Sequence, residues 1–215
     1  MSRVRTRTLE RGGFSITVPA SWWEFDIHPS SRDDNIRRLV NERVKQMPEL
    51  AEHRETITKF LRKMAREAYD SGAVYCGCMV QDFDGVPISA QVTVSLVGAR
   101  TPDGQIMPTD PELVAASLRE KVARREGDTW RKVTMVTIPE AGRAARTYGV
   151  EDVELPGGTK TVRTVLMQTF IPLPGNEDKV ALVSASSPVL DLADAFFDVF
   201  DAITSTFRFV EERST

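Results

Sequence analysis

The sequence predicts an α/β (α+β) fold in which a central, mainly antiparallel sheet is flanked by helices. Runs of alternating apolar and polar residues recur along the chain, and in one of them every second residue is polar, which is typical of an antiparallel sheet with one wetter face. Four other segments carry apolar residues at helical spacing. The 215 residues are 41% hydrophobic, so one domain can bury a core without a metal or a disulfide.

The first elements are short. Residues 14–18 alternate apolar and polar side chains, and Pro19 ends this strand. A tight corner follows with Trp22 and Trp23 and leads into a second short strand. Residues 33–71 then predict a helical pair divided at Pro48, with Gly72 as the residue after the second helix. The sequence does not decide whether this pair packs on the sheet or projects from it.

The next two strands form a predicted hairpin around Asp84-Gly85. In the first strand every second residue is apolar, which predicts that Val74, Cys76, Cys78 and Val80 share one face. In the second strand every second residue from Val86 to Leu96 is apolar. The residues between them include the polar Ser89, Gln91, Thr93 and Ser95. One packed face and one wetter face are therefore expected here.

The second half begins with a helix that Asp110 caps and Pro111 opens, expected to end near Gly127. Strands are predicted over residues 129–138, 142–153, 160–172 and 179–187. A final helix from Asp191 to about Thr206 carries aromatic residues on one face, so it must lie across the sheet. No linker divides the chain, and residues 1–215 are expected to form a single domain.

Charge excludes some classes of partner. The net charge is −3, which gives no bulk electrostatic attraction to nucleic acid or to an anionic membrane. Residues 1–66 carry +5 and the remainder −8, and we interpret these as two solvated faces rather than a designed partner surface. The alternating Arg3, Arg5 and Arg7 lie in residues 1–12, which are expected to form a flexible arm. A disordered or edge-strand terminus is favoured here over binding of a phosphate backbone.

Both ends of the chain resemble the Mog1/PsbP-like superfamily. The similarity is carried by Phe14-Ser15-Ile16-Thr17-Val18-Pro19 with a tryptophan soon after, and by Leu182-Val183-Ser184-Ala185-Ser186-Ser187-Pro188 before a helix that ends Phe200-Asp201-Ala202-Ile203-Thr204-Ser205-Thr206-Phe207. The resemblance implies an α/β/α sandwich and a bacterial binding or accessory scaffold without catalytic activity. It transfers no functional residue, because the superfamily's members do unrelated jobs.

Candidate chemical groups are few. His28 and His53 are expected to be solvated or to cap secondary-structure elements. Cys76 and Cys78 are expected to be buried as small hydrophobic residues rather than to bind zinc, since a zinc site needs four ligands. The acidic groups Asp82 with Asp84, and Glu151 with Asp152 and Glu154, are interpreted as turn and strand-end residues. No phosphate-binding, hydrolase or metalloprotease motif is present, so no cofactor, no metal and no catalytic residue is predicted.

The weak candidates for a partner surface are Trp22 and Trp23. Consecutive side chains of an extended corner diverge, so one ring can enter the core while the other faces out toward a protein partner. The interpretation of both tryptophans as structural residues is favoured over this partner role. The favoured hypothesis is therefore a cytoplasmic binding or accessory protein, because the start of the chain has no secretory segment and no segment can span a bilayer. The alternative is a small-molecule binder or hydrolase with a pocket between the helical pair and the sheet. A third hypothesis is a homo-oligomer whose interface is a shared edge strand or the tryptophan corner.

Overall fold

The computed structural model describes residues 5–9, 12–83, 86–98, 109–154 and 161–210. Its helices are α1 (Arg32–Gln46), α2 (Arg54–Asp70), α3 (Pro111–Ser117) and α4 (Ala193–Thr204), with single 3₁₀ turns at Pro48–Ala51 and Leu190–Leu192. Its strands are β1 (Arg5–Leu9), β2 (Gly12–Ile16), β3 (Trp23–Phe25), β4 (Ala73–Phe83), β5 (Val86–Gly98), β6 (Trp130–Ile138), β7 (Gly142–Glu154), β8 (Thr161–Leu173), β9 (Asn176–Ser187) and β10 (Arg208–Val210).

Seven strands form the central sheet, in the order β3-β4-β5-β9-β8-β7-β6, and all neighbouring strands are antiparallel. Strands β1, β2 and β10 form a second, smaller antiparallel sheet. Helices pack on the large sheet, so the predicted class, an antiparallel sheet flanked by helices, is confirmed. The β4–β5 hairpin also forms, since Phe83 pairs with Val86 across the predicted turn.

One face of the large sheet, called here the α4 face, is covered by α4 and the small sheet. The core on this face joins Phe196, Phe200 and Ile203 of α4 to Phe14 of β2 and to the apolar residues of the central strands, such as Val92. The ring of Phe207, just beyond α4, stacks on Phe14 with the ring centroids 5.5 Å apart. The predicted position of the last helix across the sheet is therefore confirmed.

The opposite face, called here the helical-pair face, carries α1 and α2 over β3 and β4. Ile36 and Leu61 of the two helices are buried against Phe25 and the two cysteines of β4. The helical pair thus packs on the sheet rather than projecting from it. Gly72 adopts a φ of 81° directly after α2, the conformation expected of a residue that ends a helix.

Strand β4 departs from simple alternation. Its pairing with β5 shifts between Ala73 and Tyr75, and the bulge places the neighbours Val74 and Tyr75 both in the core of the α4 face. Ala73 and Cys76 lie in the other core. The prediction that Val74 shares a face with the cysteines is therefore wrong, because a bulge interrupts the period of two.

The third helix is shorter than predicted. Asp110 caps α3 by accepting the backbone N–H groups of Glu112 and Leu113 at 3.0 and 3.1 Å, and Pro111 follows it as expected. The helix ends at Ser117, however, and the next segment pairs with β6 through Lys121. An extended pairing with the sheet edge replaces the helical hydrogen bonds that the apolar spacing predicted.

The N-terminal segment differs from a flexible arm where the structure describes it. Residues Arg5–Leu9 form an edge strand paired with β2, which agrees with the prediction of an edge-strand terminus. Arg3 and the side chains of Arg5 and Arg7 lie outside the described part of the molecule.

Candidate functional site

The two tryptophans diverge as predicted but are both buried. Trp22 is 4% exposed and lies in the core of the α4 face, whereas Trp23 is 6% exposed and lies in the core beneath the helical pair. The hypothesis that one ring faces out is wrong, because both sides of this sheet edge are covered, and the burial agrees with the favoured interpretation of both tryptophans as structural residues. The tryptophan corner therefore presents no exposed ring to a partner.

Arg43 of α1 holds the tryptophan corner against the helical pair. Its guanidinium lies 4.6 Å from the centroid of the Trp23 ring and donates hydrogen bonds to the carbonyl oxygens of Trp22 at 2.9 Å and Ala20 at 3.4 Å. Partial burial lowers the pKa of Arg43. This half-buried arginine is thus a structural contact between α1 and the tryptophan corner.

The cysteines of β4 lie side by side beneath the helical pair. Cys76 and Cys78 are free thiols that are fully buried in the core between the helical pair and the sheet. Burial raises the pKa of Cys76 to about 12; burial, and then the charge of Cys76, raises the pKa of Cys78. Both side chains therefore remain protonated at neutral pH, and the prediction of buried small hydrophobic residues is confirmed.

The acidic cluster at the end of β7 is occupied by arginines. Glu151 accepts a bidentate pair from Arg131 that raises the pKa of the arginine, and Arg163 donates to Asp152 at 2.8 and 3.0 Å, which lowers the pKa of that carboxyl. Glu154 is exposed. The carboxylates of Glu151 and Asp152 are ion-pair partners and are therefore not poised as general bases. Asp82 and Asp84 lie outside the described side chains.

The two histidines are far from each other in the chain and lie at element ends. His28 contacts Ser30 through its Nδ1 at 2.7 Å, and its ring meets Tyr69 edge-on at 5.8 Å. His53 occupies the position before α2 without capping it through its side chain. In the described ranges, no group of three or more His, Cys, Asp or Glu residues is placed to hold a metal.

The space between the helical pair and the sheet is filled by buried side chains. A groove lies instead between α1 and α2, and we call it the helical groove. It has a volume of about 500 Å³ and is lined by Arg37, Asn41, Arg54, Glu55, Thr58, Lys59 and Arg62. Four of these seven residues are cationic and one is acidic, so the groove is a positive strip on a chain of net negative charge.

The charges of the helical groove are distributed unevenly along it. At one end, Asp34 lies 3.3 Å from Arg37 and Asp33 lies 3.5 Å from Arg62. At the other end, Arg54 donates to the side-chain oxygen of Asn41, and no carboxylate within the described ranges lies in ion-pair distance of Arg54 or Lys59. The α2 N-terminal end of the groove therefore offers cationic groups to an anion from outside.

A smaller set of cations borders a second groove, of about 550 Å³, beside the segment that follows α3. Its lining includes Lys121, Arg124 and Arg163 together with Asp128. Arg163 already bonds Asp152 and the carbonyl oxygen of Gly127, and Asp128 accepts backbone N–H groups of its own loop. Internal contacts therefore hold Arg163 and Asp128, whereas the side chains of Lys121 and Arg124 have no carboxylate within ion-pair distance in the described part of the chain.

Sequence analysis missed the helical groove because it interpreted the excess positive charge of residues 1–66 as a solvated face. The signal was present in the spacing: Arg54, Thr58 and Arg62 recur every four residues and so share one side of α2. What the sequence does not contain is the register of the two helices, which brings Asn41 and Arg37 of α1 beside that row.

Comparison with known proteins assigns no family to this chain. No protein-family model and no curated protein matches the sequence. Among solved structures, the chain is similar to LpqN, described as involved in cell envelope biogenesis of Mycobacterium tuberculosis, at 12% identity and a TM-score of 0.44, over 98% of this chain and 91% of that one. None of the helices described here is long and apolar enough to cross a membrane.

Proposed function

We propose that this protein is a non-catalytic binding or accessory protein that works by protein–protein contact, and that the helical groove receives an acidic segment of its partner. The observation that carries the proposal is the end of the groove at which Arg54 and Lys59 lack a carboxylate partner among the described residues. Cations without internal partners gain most from an external carboxylate.

The position of the groove in the fold favours a binding role. Its walls are two helices of 15 and 17 residues whose inner sides are fixed in the core by Ile36, Val40, Leu61 and Ala65. The groove side chains are therefore carried by a rigid platform, which lowers the entropy cost of association. An acidic segment lying along the groove can contact residues of both helices at once.

The groups that could act in catalysis support the same proposal. Cys76 and Cys78 are protonated and buried, and the carboxylates of Glu151 and Asp152 are held by arginines. The alternative, a ligand pocket between the helical pair and the sheet, is less favoured because buried side chains fill that space. We also retain the cytoplasm as the proposed location, to be tested by cell fractionation.

The test is a fluorescence-anisotropy titration with a labelled peptide of alternating glutamate and serine, matched by a glutamine and serine peptide. We expect the acidic peptide to bind the wild-type protein and the neutral one not to bind. The affinity should fall as salt rises, because exposed charges are screened. Equal binding of both peptides, or no binding of the acidic peptide at low salt, would contradict the proposal.

Charge reversal places the contact on the protein. Arg54→Glu with Lys59→Glu should weaken binding of the acidic peptide by roughly tenfold or more. The control, Arg38→Glu on α1 with Lys63→Glu on α2, makes the same change of charge at exposed positions outside the groove. The control should bind within about twofold of wild type. If both double variants weaken binding equally, the contact is a diffuse charge effect and the groove is not the site.

A further inference from the structure

The helical groove carries charges of both signs. Its four cations share it with one carboxylate of the lining, that of Glu55, and with Asp33 and Asp34 at one end. The four positive and three negative groups leave a net charge of only +1. A uniformly anionic surface, such as a membrane or a nucleic acid, would meet these carboxylates as well as the cations. The groove therefore favours a compact anion that contacts one part of it.

The part of the groove around Asn41 is lined from both helices. Arg37 and Asn41 are four residues apart and so lie on one side of α1. Arg54 and Thr58 have the same spacing and form the facing wall on α2. Arg54 donates to the side-chain oxygen of Asn41 across the groove. This bond shows that side chains of the two walls are within hydrogen-bond reach of each other.

Most hydrogen-bond donors of these side chains have no acceptor among the described residues. A guanidinium has five N–H donors, and Arg54 uses one of them on Asn41, whose own amide group donates to nothing described. Arg37 pairs only with Asp34, at 3.3 Å, and the two side chains are 63% and 83% exposed, so this ion pair is weak. The hydroxyl of Thr58 donates back to the carbonyl oxygen of Arg54 at 2.8 Å and adds no charge.

We propose that this donor set binds a phosphoryl group, and that the acidic segment of the partner is a phosphorylated one. This assignment rests on the proposed function and names the chemistry of the ligand. A phosphoserine carries a charge of about −2 and three acceptor oxygens. Its tetrahedral phosphoryl group can accept from Arg37 and Arg54 on opposite walls at once, whereas a planar carboxylate matches one guanidinium fork.

The direction of α2 adds to the attraction for an anion. Arg54 is the first residue of this 17-residue helix, and the side chain of His53 before it does not cap the helix. The first turn of a helix has N–H groups without a partner in the helix, and the helix dipole is positive at this end. Both effects act in the same direction as the side-chain donors, which define the site.

Peptide binding tests the choice of ligand. A labelled peptide of glycine and serine with one central phosphoserine is compared, by fluorescence anisotropy at low salt, with the same peptide carrying two central glutamates, which match its charge. We expect the phosphopeptide to bind about tenfold more tightly or better. Equal affinity, or tighter binding of the glutamate peptide, overturns the assignment of a phosphoryl group and leaves the proposed function standing. Binding of neither peptide overturns both.

Arginine-to-lysine variants test the geometry without changing the charge. Arg37→Lys with Arg54→Lys keeps both positive charges and the helix propensity but removes the two guanidinium forks. The advantage of the phosphopeptide over the glutamate peptide should fall to about threefold or less. The control is Arg38→Lys with Arg66→Lys, at exposed positions of the same two helices outside the groove, and it should keep the full advantage. An unchanged advantage in the groove variant contradicts the assignment.

Vesicles separate a phosphorylated protein from a lipid headgroup with the same chemistry. Phosphatidylcholine vesicles containing phosphatidic acid present phosphoryl groups on a continuous anionic surface. We expect the protein to remain in solution when these vesicles are sedimented, because that surface also meets the carboxylates of the groove. Sedimentation with the vesicles that is lost in Arg37→Lys with Arg54→Lys, without binding of the phosphopeptide, would overturn the assignment to a protein partner.

Discussion

The two faces of the large sheet differ in the size of their apolar cores and in the charge of the surface above them. The α4 face is closed by a continuous apolar core in which the rings of Phe14, Phe196, Phe200 and Phe207 are at most 5% exposed. The helical-pair face has a smaller core and turns a charged groove toward solvent. The difference indicates that the α4 face supplies stability, whereas the helical pair uses one side for packing and leaves its other side open for the partner contact that we propose.

The largest expected effect comes from the α4 face. Phe200→Ala removes a fully buried ring, and we expect the free energy of unfolding to fall by about 3–5 kcal/mol, because the surrounding core cannot fully collapse onto the cavity. Urea denaturation measures this. The control is Leu113→Ala on α3, which is 54% exposed and should change stability by about 0.5 kcal/mol or less. Similar losses for both variants would contradict the contrast between core and surface.

A smaller effect is expected at the crowded edge between β6 and β7. A Cβ at Gly149 would collide with the carbonyl oxygen of Trp130 and approach the Cα of Arg131 to 2.9 Å, so the backbone of β6 must move. Gly149→Ala should lower the free energy of unfolding by about 1–3 kcal/mol or more. The matched control is Gly98→Ala, where no atom of the described residues lies within 4 Å of the added carbon. A neutral Gly149→Ala would mean that the two strands are not this close.

The smallest effect at neutral pH comes from the thiols beneath the helical pair. The pKa of Cys76 rises from 9.0 to about 12 on folding, so the folded state keeps a proton that the unfolded state loses. The resulting stability is fully present below pH 9 and is lost as the pH rises toward 12. Stability of the wild type should therefore fall more steeply over this interval than that of Cys76→Ala. Parallel curves would place the thiol in contact with solvent.

Much of the fold was predictable from sequence because alternation and helical spacing reflect burial directly. The strands of the second half, the β4–β5 hairpin and the Asp110 cap lie where the local pattern places them. Local pattern failed where a distant partner intervened. Pairing of Lys121 with Arg131 ends α3 early, and the bulge at Ala73 and Tyr75 moves Val74 to the other face.

The candidate site was harder to predict than the fold. Burial of both Trp22 and Trp23 depends on covers from separate parts of the chain, α4 on one side and the helical pair on the other. The helical groove depends on the register of α1 against α2, which no single helix encodes. Sequence therefore identified which residues were charged but not which charges would lie together without partners.

The most direct test of the account is hydrogen exchange of the full chain with and without the glutamate and serine peptide, read at the level of single peptides. We predict that added protection is confined to α1 and α2 around Arg37–Asn41 and Arg54–Arg62, and that α4 and its core exchange unchanged. Protection that appears on α4 or along β7 and β8, with none on the helical pair, would contradict the assignment of recognition to the helical groove.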